Sequence, residues 1–151
     1  MSQRMDYNAV APGGMRALGS VHGYVRQSKL PERLVDLVYL RVSQINGCAY
    51  CVDMHSRDLL KAGLPIDHLV LVPVWQEAGT VFDSQEKAAL SWAETVTRVS
   101  EGVPDGAFEN AAAVFGNKEL ADLTIAISLM NAYNRMAISF RATPSSLAAS
   151  A

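Results

Sequence analysis

Two cysteines near the middle of the chain are the side chains best suited to chemistry. Cys48 and Cys51 are the only cysteines among the 151 residues, and they form a single C-x-x-C. A spacing of three at the start of a helix places both sulfurs on one face, close enough to form a disulfide with little backbone movement. The unpaired N–H groups of a first helical turn also stabilise the thiolate, which is the reactive form of cysteine. The pair is therefore predicted to cycle between dithiol and disulfide.

A histidine and two acids are spaced so that they could move the thiol proton. His55 follows Cys51 by four residues, one turn along the same helical face, where an imidazole can accept that proton directly or through water. If the helices on either side of Asn46-Gly47 fold back on each other, Asp36 lies level with His55 and can orient its ring. Asp58, three residues after His55, could compete for this role. The spacing predicts Cys51 as nucleophile and His55 as its base.

The same residue types bind zinc, so a metal site is the main structural alternative. Two cysteines and a histidine can bind zinc, and an aspartate could be the fourth ligand. The chain has no second C-x-x-C and no H-x-x-x-H that would complete a closed structural site. A c-type haem needs a histidine directly after the second cysteine, and Val52 stands there. We therefore expect no metal and no other cofactor, and we interpret His22 and His68 as ordinary surface or interface residues.

The composition indicates one globular domain that does not bind nucleic acid. Hydrophobic residues make up 50% of the chain and charged residues 19%, with a formal net charge of -2. A nucleic-acid-binding protein would need a basic surface to neutralise phosphates. The first residues lack the basic segment and apolar run of a secretion signal, and no apolar run is long enough to predict a membrane span. We expect a single cytoplasmic domain over residues 1–151, with no membrane partner and a flexible tail from about residue 142.

Apolar residues recur every three or four positions along the chain, which predicts an all-α fold. Asn46-Gly47 marks a helix end that leads directly into the next helix, and Asp83-x-x-Glu86 is a capping box. The apolar run 66–74 fits a strand or a helix, but Pro73 and its short length favour a short helix. The predicted helices cover about 14–27, 31–46, 48–62, part of 66–74, the capping box to Val96, 104–116 and 118–141.

These residues also occur in an arrangement typical of a known family. The stretch LVDLVYLRVSQINGCAYCVDMHSRDLLKAGL, residues 34–64, resembles the core of the AhpD-like (alkylhydroperoxidase D) branch of the carboxymuconolactone decarboxylase family. The signature of that branch is an acid, eleven residues, C-x-x-C, three residues and a histidine. The similarity continues through SQEKAALSWAETVT and LMNAYNRMAISF and covers about Pro31 to Arg141. It implies an AhpD-like helical bundle that assembles as a homo-oligomer, trimeric or hexameric.

The resemblance also implies a thiol-dependent peroxide reductase whose partners are a hydroperoxide substrate and a dithiol reductant. The family assigns attack on peroxide to the second cysteine, here Cys51, and resolution to a disulfide to the first, here Cys48. Its acid and histidine relay the proton, which corresponds to Asp36 and His55. The family acid is usually glutamate, and Asp36 is shorter by about 1.5 Å. The shorter side chain favours a contact with His55 through water.

Positions near the cysteines suggest further roles, and two other functional classes stay open. Ser43 and Gln44 mirror Cys48 across the corner and could donate hydrogen bonds to a bound peroxide or a sulfenic oxygen. Cys48 lies nearer the helix start, where we expect it to be more open to a reductant. The alternatives are a redox-sensing or scaffold oligomer with little turnover, and a lactone decarboxylase-type enzyme. The intact cysteine pair disfavours the second, because the decarboxylases of the family lack it.

Overall fold

The computed structural model describes residues 2–148, and those residues form nine α-helices, two short 3-10 segments and no strand. The all-α prediction is therefore confirmed. The helices are α1 (Tyr7–Val10), α2 (Pro12–Arg26), α3 (Glu32–Asn46), α4 (Ala49–Lys61), α5 (Ile66–Leu69), α6 (Ser84–Thr97), α7 (Asp105–Ala112), α8 (Asn117–Phe140) and α9 (Ser145–Ala148). The 3-10 segments are Val72–Glu77 and Val99–Glu101. None of the helices in the described part is long and apolar enough to cross a membrane.

The corner between α3 and α4 places the cysteines. Gly47 closes α3 in the left-handed conformation with φ 69°, which glycine adopts without a side-chain clash. The N–H of Cys48 then donates to the carbonyl of Ser43 at 2.9 Å. This turn leaves Cys48 as the N-cap of α4, so both cysteines belong to the first turn of one helix. The local chain geometry therefore follows from the Asn46-Gly47 pair, as predicted.

Three other local predictions can be compared with the observed helices. The capping box forms at the start of α6, where Asp83 and Glu86 bond to each other's backbone N–H. The run 66–74 contains the short helix α5 followed by a 3-10 segment, with no strand. Helix α7 ends at Ala112, earlier than the predicted end at residue 116, and the short helix α1 was not predicted from the sequence.

Helix α3 is the centre of the bundle. It packs against α4, α6 and α8, and its residues contribute to two buried apolar clusters. Val38, Tyr39 and Val42 belong to the cluster that also contains both cysteines. Leu37 and Leu40 face the other cluster, beneath α5 and the 3-10 segment. Burial of each such side chain stabilises the fold by about 1.5–3 kcal/mol, so the register of α3 against its neighbours is strongly specified.

The end of the chain returns to α4. The carboxylate of Asp53 accepts a hydrogen bond from the Ser145 hydroxyl at 3.0 Å and one from the Ser146 N–H at 3.3 Å. These bonds hold the N-terminus of α9 next to the cysteine-bearing helix. A flexible tail was predicted from about residue 142. Residues 145–148 of this stretch form α9, and residues 149–151 lie outside the described residues.

Candidate active site

The two thiols lie next to each other inside the bundle. Cys48 and Cys51 are free thiols with only 1% and 2% of their surface exposed, and their Sγ atoms are 2.8 Å apart. The backbone N–H of Cys51 points at the Cys48 Sγ atom at 3.4 Å. The predicted juxtaposition of the sulfurs is present, and a disulfide can form with little movement of the backbone.

Cys48 is the more acidic of the two thiols. A hydrogen bond from the Cys51 thiol lowers the pKa of Cys48 to about 7, with help from backbone N–H groups and the Asn134 amide and against the effect of burial. The pKa of Cys51 is raised, because its proton is held by Cys48 and because it is buried. The reduced pair therefore carries its first negative charge on Cys48, while Cys51 keeps the proton.

His55 is buried beside the thiol pair and has a free proton-accepting nitrogen. It is 4% exposed, and its ring packs on Tyr39 with centroids 5.3 Å apart. Neither ring nitrogen has a hydrogen-bond partner among the described residues, and the nearest carboxylate oxygen, from Asp58, is 3.7 Å from Nδ1. Burial and the positive charge of Arg26 lower the pKa of His55 to about 4. The imidazole is therefore neutral at pH 7, and one of its ring nitrogens has a lone pair that can accept a hydrogen bond.

Asp36 binds an arginine instead of the histidine. Its carboxylate is hydrogen-bonded to the guanidinium of Arg26, which comes from the end of α2. Burial raises the pKa of Asp36, and the bond to Arg26 opposes this rise. No hydrogen bond joins Asp36 to His55 in the part of the chain that the structure describes. The structure thus brings Cys48, Cys51 and His55 together, and it pairs Asp36 with Arg26 instead of His55.

Two cavities open on different sides of the thiol pair. The histidine cavity, of about 250 Å³, is lined by Cys51 and His55 together with His22, Tyr7, Tyr50, Tyr133, Met15, Met54 and Met130. The Cys48 cavity, of about 280 Å³, is lined by Cys48 and by residues that include Arg141, Pro144 and Leu147 near the chain end. Tyr50 and Ala137 line both cavities and separate them. Each cysteine therefore faces a different space.

A third hollow, more polar, lies on the other side of the relay residues. It has a volume of about 590 Å³, and its lining includes Arg26, Asp36, Asp58 and Lys61. Both acids considered for the relay thus face a space that admits water. Asp58 is also the acid closest to His55, so it links this hollow to the histidine cavity through the imidazole.

A set of buried amides behind the thiols was missed from the sequence. Asn134 of α8 is fully buried, donates to Ser43 Oγ at 3.0 Å and accepts from Asn46 at 2.9 Å. Asn46 also donates to Asn131 at 3.0 Å. The available signal was Asn134 itself, a polar residue within the apolar stripe of the last helix.

Other candidates lie away from this site or have structural partners. The Gln44 side-chain oxygen is buried without a hydrogen-bond partner among residues 2–148, and Gln44 lines neither thiol cavity. Glu94 accepts hydrogen bonds from Arg41 and Trp75, which tie α6 to α3 and to the 3-10 segment. Within the described residues, no three His, Cys, Asp or Glu side chains gather as metal ligands.

Fold and site together define a small all-α protein with a buried C-x-x-C pair beside a neutral histidine. Residues 12–95 match the carboxymuconolactone decarboxylase family, and the chain belongs to that family. A protein of unknown function from Agrobacterium tumefaciens, linked by name to the antioxidant defence protein AhpD, has a crystal structure with a TM-score of 0.90. That protein is 39% identical, and the match covers 95% of this chain and 98% of the other. The AhpD-like branch is thereby confirmed.

Two further proteins are similar to this chain. The uncharacterized protein YdfG of Bacillus subtilis is 34% identical over 139 residues, which is 91% of this chain and 94% of YdfG. The debrominase Bmp8 has a TM-score of 0.81 at 16% identity, over 90% of this chain and 73% of Bmp8. At that identity the similarity to Bmp8 concerns the fold alone.

Proposed function

We propose that this protein is a thiol-dependent peroxide reductase that cycles Cys48 and Cys51 between dithiol and disulfide. The observation that carries the proposal is the shared cavity of Cys51 and His55, in which a thiol and a neutral imidazole face the same space. An organic hydroperoxide fits the lining of this cavity, whose described residues are tyrosines, methionines and other uncharged side chains. The substrate is therefore expected to carry an apolar substituent.

The first step consumes the peroxide at Cys51. The Cys51 proton passes to His55, directly or through a water molecule, and the sulfur attacks one oxygen of the substrate. The S–O bond forms as the O–O bond breaks, which leaves a sulfenic acid on Cys51. The alkoxide that departs takes the proton back from His55 and becomes an alcohol. A histidine with a pKa near 4 releases this proton readily.

The second step forms the disulfide. Cys48 is the thiol with the lowered pKa and lies 2.8 Å from the Cys51 sulfur, so its thiolate is in position to attack the sulfenic acid. The S–S bond forms, the S–O bond breaks, and the hydroxide takes up a proton to become water. The sum is one hydroperoxide and two thiols converted to an alcohol, water and one disulfide.

A dithiol reductant then restores the pair. We place its access at the Cys48 cavity, because Cys48 is the cysteine that lines this second opening. One thiolate of the reductant attacks the disulfide, and its second thiol displaces the mixed disulfide to leave the reductant oxidised. We also place the protein in the cytoplasm, where reducing conditions keep such a pair in the dithiol form.

The test is steady consumption of an organic hydroperoxide in the presence of a panel of dithiol reductants. Wild-type protein should turn over many equivalents, and Cys48→Ser and Cys51→Ser should each stop after at most one. Mass spectrometry of the peroxide-treated wild type should show the loss of two hydrogens within one peptide. Failure of every reductant to support more than one turnover would contradict the proposal.

One observation favours a redox sensor as the second candidate. Both thiols are almost fully buried, at 1% and 2% exposure, which slows contact with a reductant. A sensor would form the same disulfide once and hold it. The same assay separates the two functions, because a sensor consumes one equivalent of peroxide and then stops even when the reductant is in excess.

A homo-oligomer is the assembly we propose. The family resemblance supports it, and so do exposed apolar side chains along and after α5, namely Ile66, Val70 and Val74. Light scattering at micromolar concentration should report a particle several times larger than the 16.3 kDa chain. A particle of the size of one chain would contradict the assembly without affecting the thiol chemistry.

A further inference from the structure

The most unusual polar group outside the proposed reaction is the side-chain amide of Asn134. It is 0% exposed, and burial of an amide is unfavourable by about 1–3 kcal/mol unless its hydrogen bonds are made. Its Oδ1 atom accepts from Asn46, and one of its two N–H groups donates to Ser43 Oγ. The other N–H faces only the thioether of Met130 at 3.5 Å, which is a weak acceptor. One donor of this amide is therefore poorly used.

The hydrogen bonds around Asn46 determine which way the Asn134 amide points. Asn46 Nδ2 donates to the Oδ1 atoms of both Asn131 and Asn134, at 3.0 and 2.9 Å. Asn131 Oδ1 also accepts from Arg135 at 3.2 Å, and Asn131 Nδ2 donates to the Ile127 carbonyl. The oxygen of Asn134 must therefore face Asn46, and its NH2 group must face Ser43 and the thiols.

Ser43 joins the amide to the thiols, because its hydroxyl accepts from Asn134 at 3.0 Å and its carbonyl accepts from the Cys48 N–H at 2.9 Å. Among the groups that act on the thiols, Asn134 is the side chain outside the pair that lowers the pKa of both Cys48 and Cys51. A thiolate is a much stronger acceptor than a thioether, so the poorly used N–H would turn from Met130 to a charged sulfur. The bond that Asn134 Oδ1 accepts from Asn46 polarises the amide and strengthens its N–H as a donor.

We propose that Asn134 binds the negative charge of the thiol pair, with Asn46 as the positioning residue that orients its amide. The need for such a group follows from the reaction, because the charge lies on Cys48 before peroxide arrives and Cys51 must become anionic to attack. A single amide that turns to whichever sulfur is charged would stabilise both states and lower the barrier between them. The inference deepens the proposed dithiol cycle and rests on it, but it concerns thiol ionisation and not turnover.

The titratable groups around the thiol pair include one permanent positive charge. Titratable side chains that line the two thiol cavities are His22 from α2, Tyr7, Tyr50, His55, Tyr133 and Arg141. Burial lowers the pKa of His55, and it raises the pKa of Tyr7 and Tyr133, so these three are neutral at pH 7. Arg141 is the one with a permanent charge, and it lines the Cys48 cavity but not the histidine cavity.

The test is a titration of the thiols in variants of these amides. Asn134→Leu removes the amide at similar volume, and Asn46→Ala leaves Asn134 in place without its orienting donor. The thiolate absorbance near 240 nm is followed against pH, and the dithiol–disulfide equilibrium is measured in glutathione buffers. Thr124→Val is the matched control. Thr124 lies on α8, as Asn134 does, and the change removes the hydrogen bond that Trp92 Nε1 donates to the Thr124 hydroxyl.

Asn134→Leu should raise the pKa of the first thiol by about one unit, which corresponds to loss of a hydrogen bond to a charged group. At about pH 9, where the first thiol of the wild type is fully ionised, the glutathione equilibrium should shift about tenfold toward the disulfide, or about 30 mV. Asn46→Ala should shift both in the same direction by a smaller amount, and Thr124→Val should leave both unchanged. If Asn134→Leu does not fold, the Asn46→Ala result decides.

Unchanged titration and equilibrium in the folded amide variants would overturn the proposal, as would equal shifts in Thr124→Val. Neither measurement uses peroxide. If the wild-type protein shows no peroxidase activity, the proposed function is refuted, but the thiol titrations still test the role of Asn134.

Discussion

The ion pair between Arg26 and Asp36 joins the site to the stability of the fold. The Asp36 side chain is 5% exposed and that of Arg26 is 27% exposed. Replacement of Arg26 by methionine keeps most of the packing of the side chain but leaves a buried carboxylate without its cation. Removal of one partner from a fully buried pair costs about 3–5 kcal/mol. Because Arg26 is partly exposed and the adjacent hollow admits water, we expect Arg26→Met to lower the free energy of unfolding by about 2 kcal/mol at pH 7.5.

The sign of the pH dependence follows from Asp36. Burial already raises the pKa of this carboxyl group in the folded protein, and loss of Arg26 removes the group that opposes the rise. A raised carboxyl pKa means that the folded state binds the proton more tightly than the unfolded chain does. The resulting destabilisation is absent below the unfolded pKa of about 3.9 and grows as pH rises through the folded pKa. Arg26→Met should therefore lose much less stability at pH 4.5 than at pH 7.5.

Urea denaturation of the wild type, Arg26→Met and the double variant with Asp36→Asn, at both pH values, checks this expectation. Asp36→Asn combined with Arg26→Met should recover part of the stability lost at pH 7.5, because no charge is left unpaired. The pKa of His55, followed by NMR, should rise in Arg26→Met, since Arg26 is one cause of its low value. Equal losses at the two pH values, with no recovery in the double variant, would refute the assignment of a buried carboxylate held by Arg26.

Three further predictions concern the reaction. In Cys48→Ser, peroxide should leave a sulfenic acid on Cys51 that a dimedone-type reagent traps, whereas Cys51→Ser should react slowly; fast labelling of Cys48 alone would reverse the two roles. His55→Ala should lower the rate of peroxide consumption and move its pH dependence upward, because the thiol loses its proton acceptor; an identical profile would remove the histidine from the reaction. Asp36→Asn should change that profile less than His55→Ala does, because Asp36 is bonded to Arg26 and not to His55; a larger effect than that of His55→Ala would contradict this order.

Local features of the fold were accessible from the sequence because each depends on a few neighbouring residues. The end of α3 follows from Asn46-Gly47, where the backbone needs a positive φ. The start of α6 follows from the reciprocal bonds of Asp83 and Glu86. Such signals depend on residues within about one helical turn, so they can be recognised without knowledge of the tertiary packing.

The site residues likewise divide into those that are close together in the sequence and those that only tertiary packing brings together. Cys48, Cys51 and His55 lie within eight residues of one helix, and helical geometry alone places them on one face. The partner of Asp36 could not be foreseen in this way, because Arg26 belongs to another helix and reaches the acid only through the packing of α2 on the bundle. The amide of Asn134 lies 91 residues from Ser43 and 88 from Asn46. Its place beside the thiols, and the division of the cysteines between two cavities, depend on how α8 packs against α3, and long-range packing of this kind leaves only a weak trace in the pattern of a single sequence.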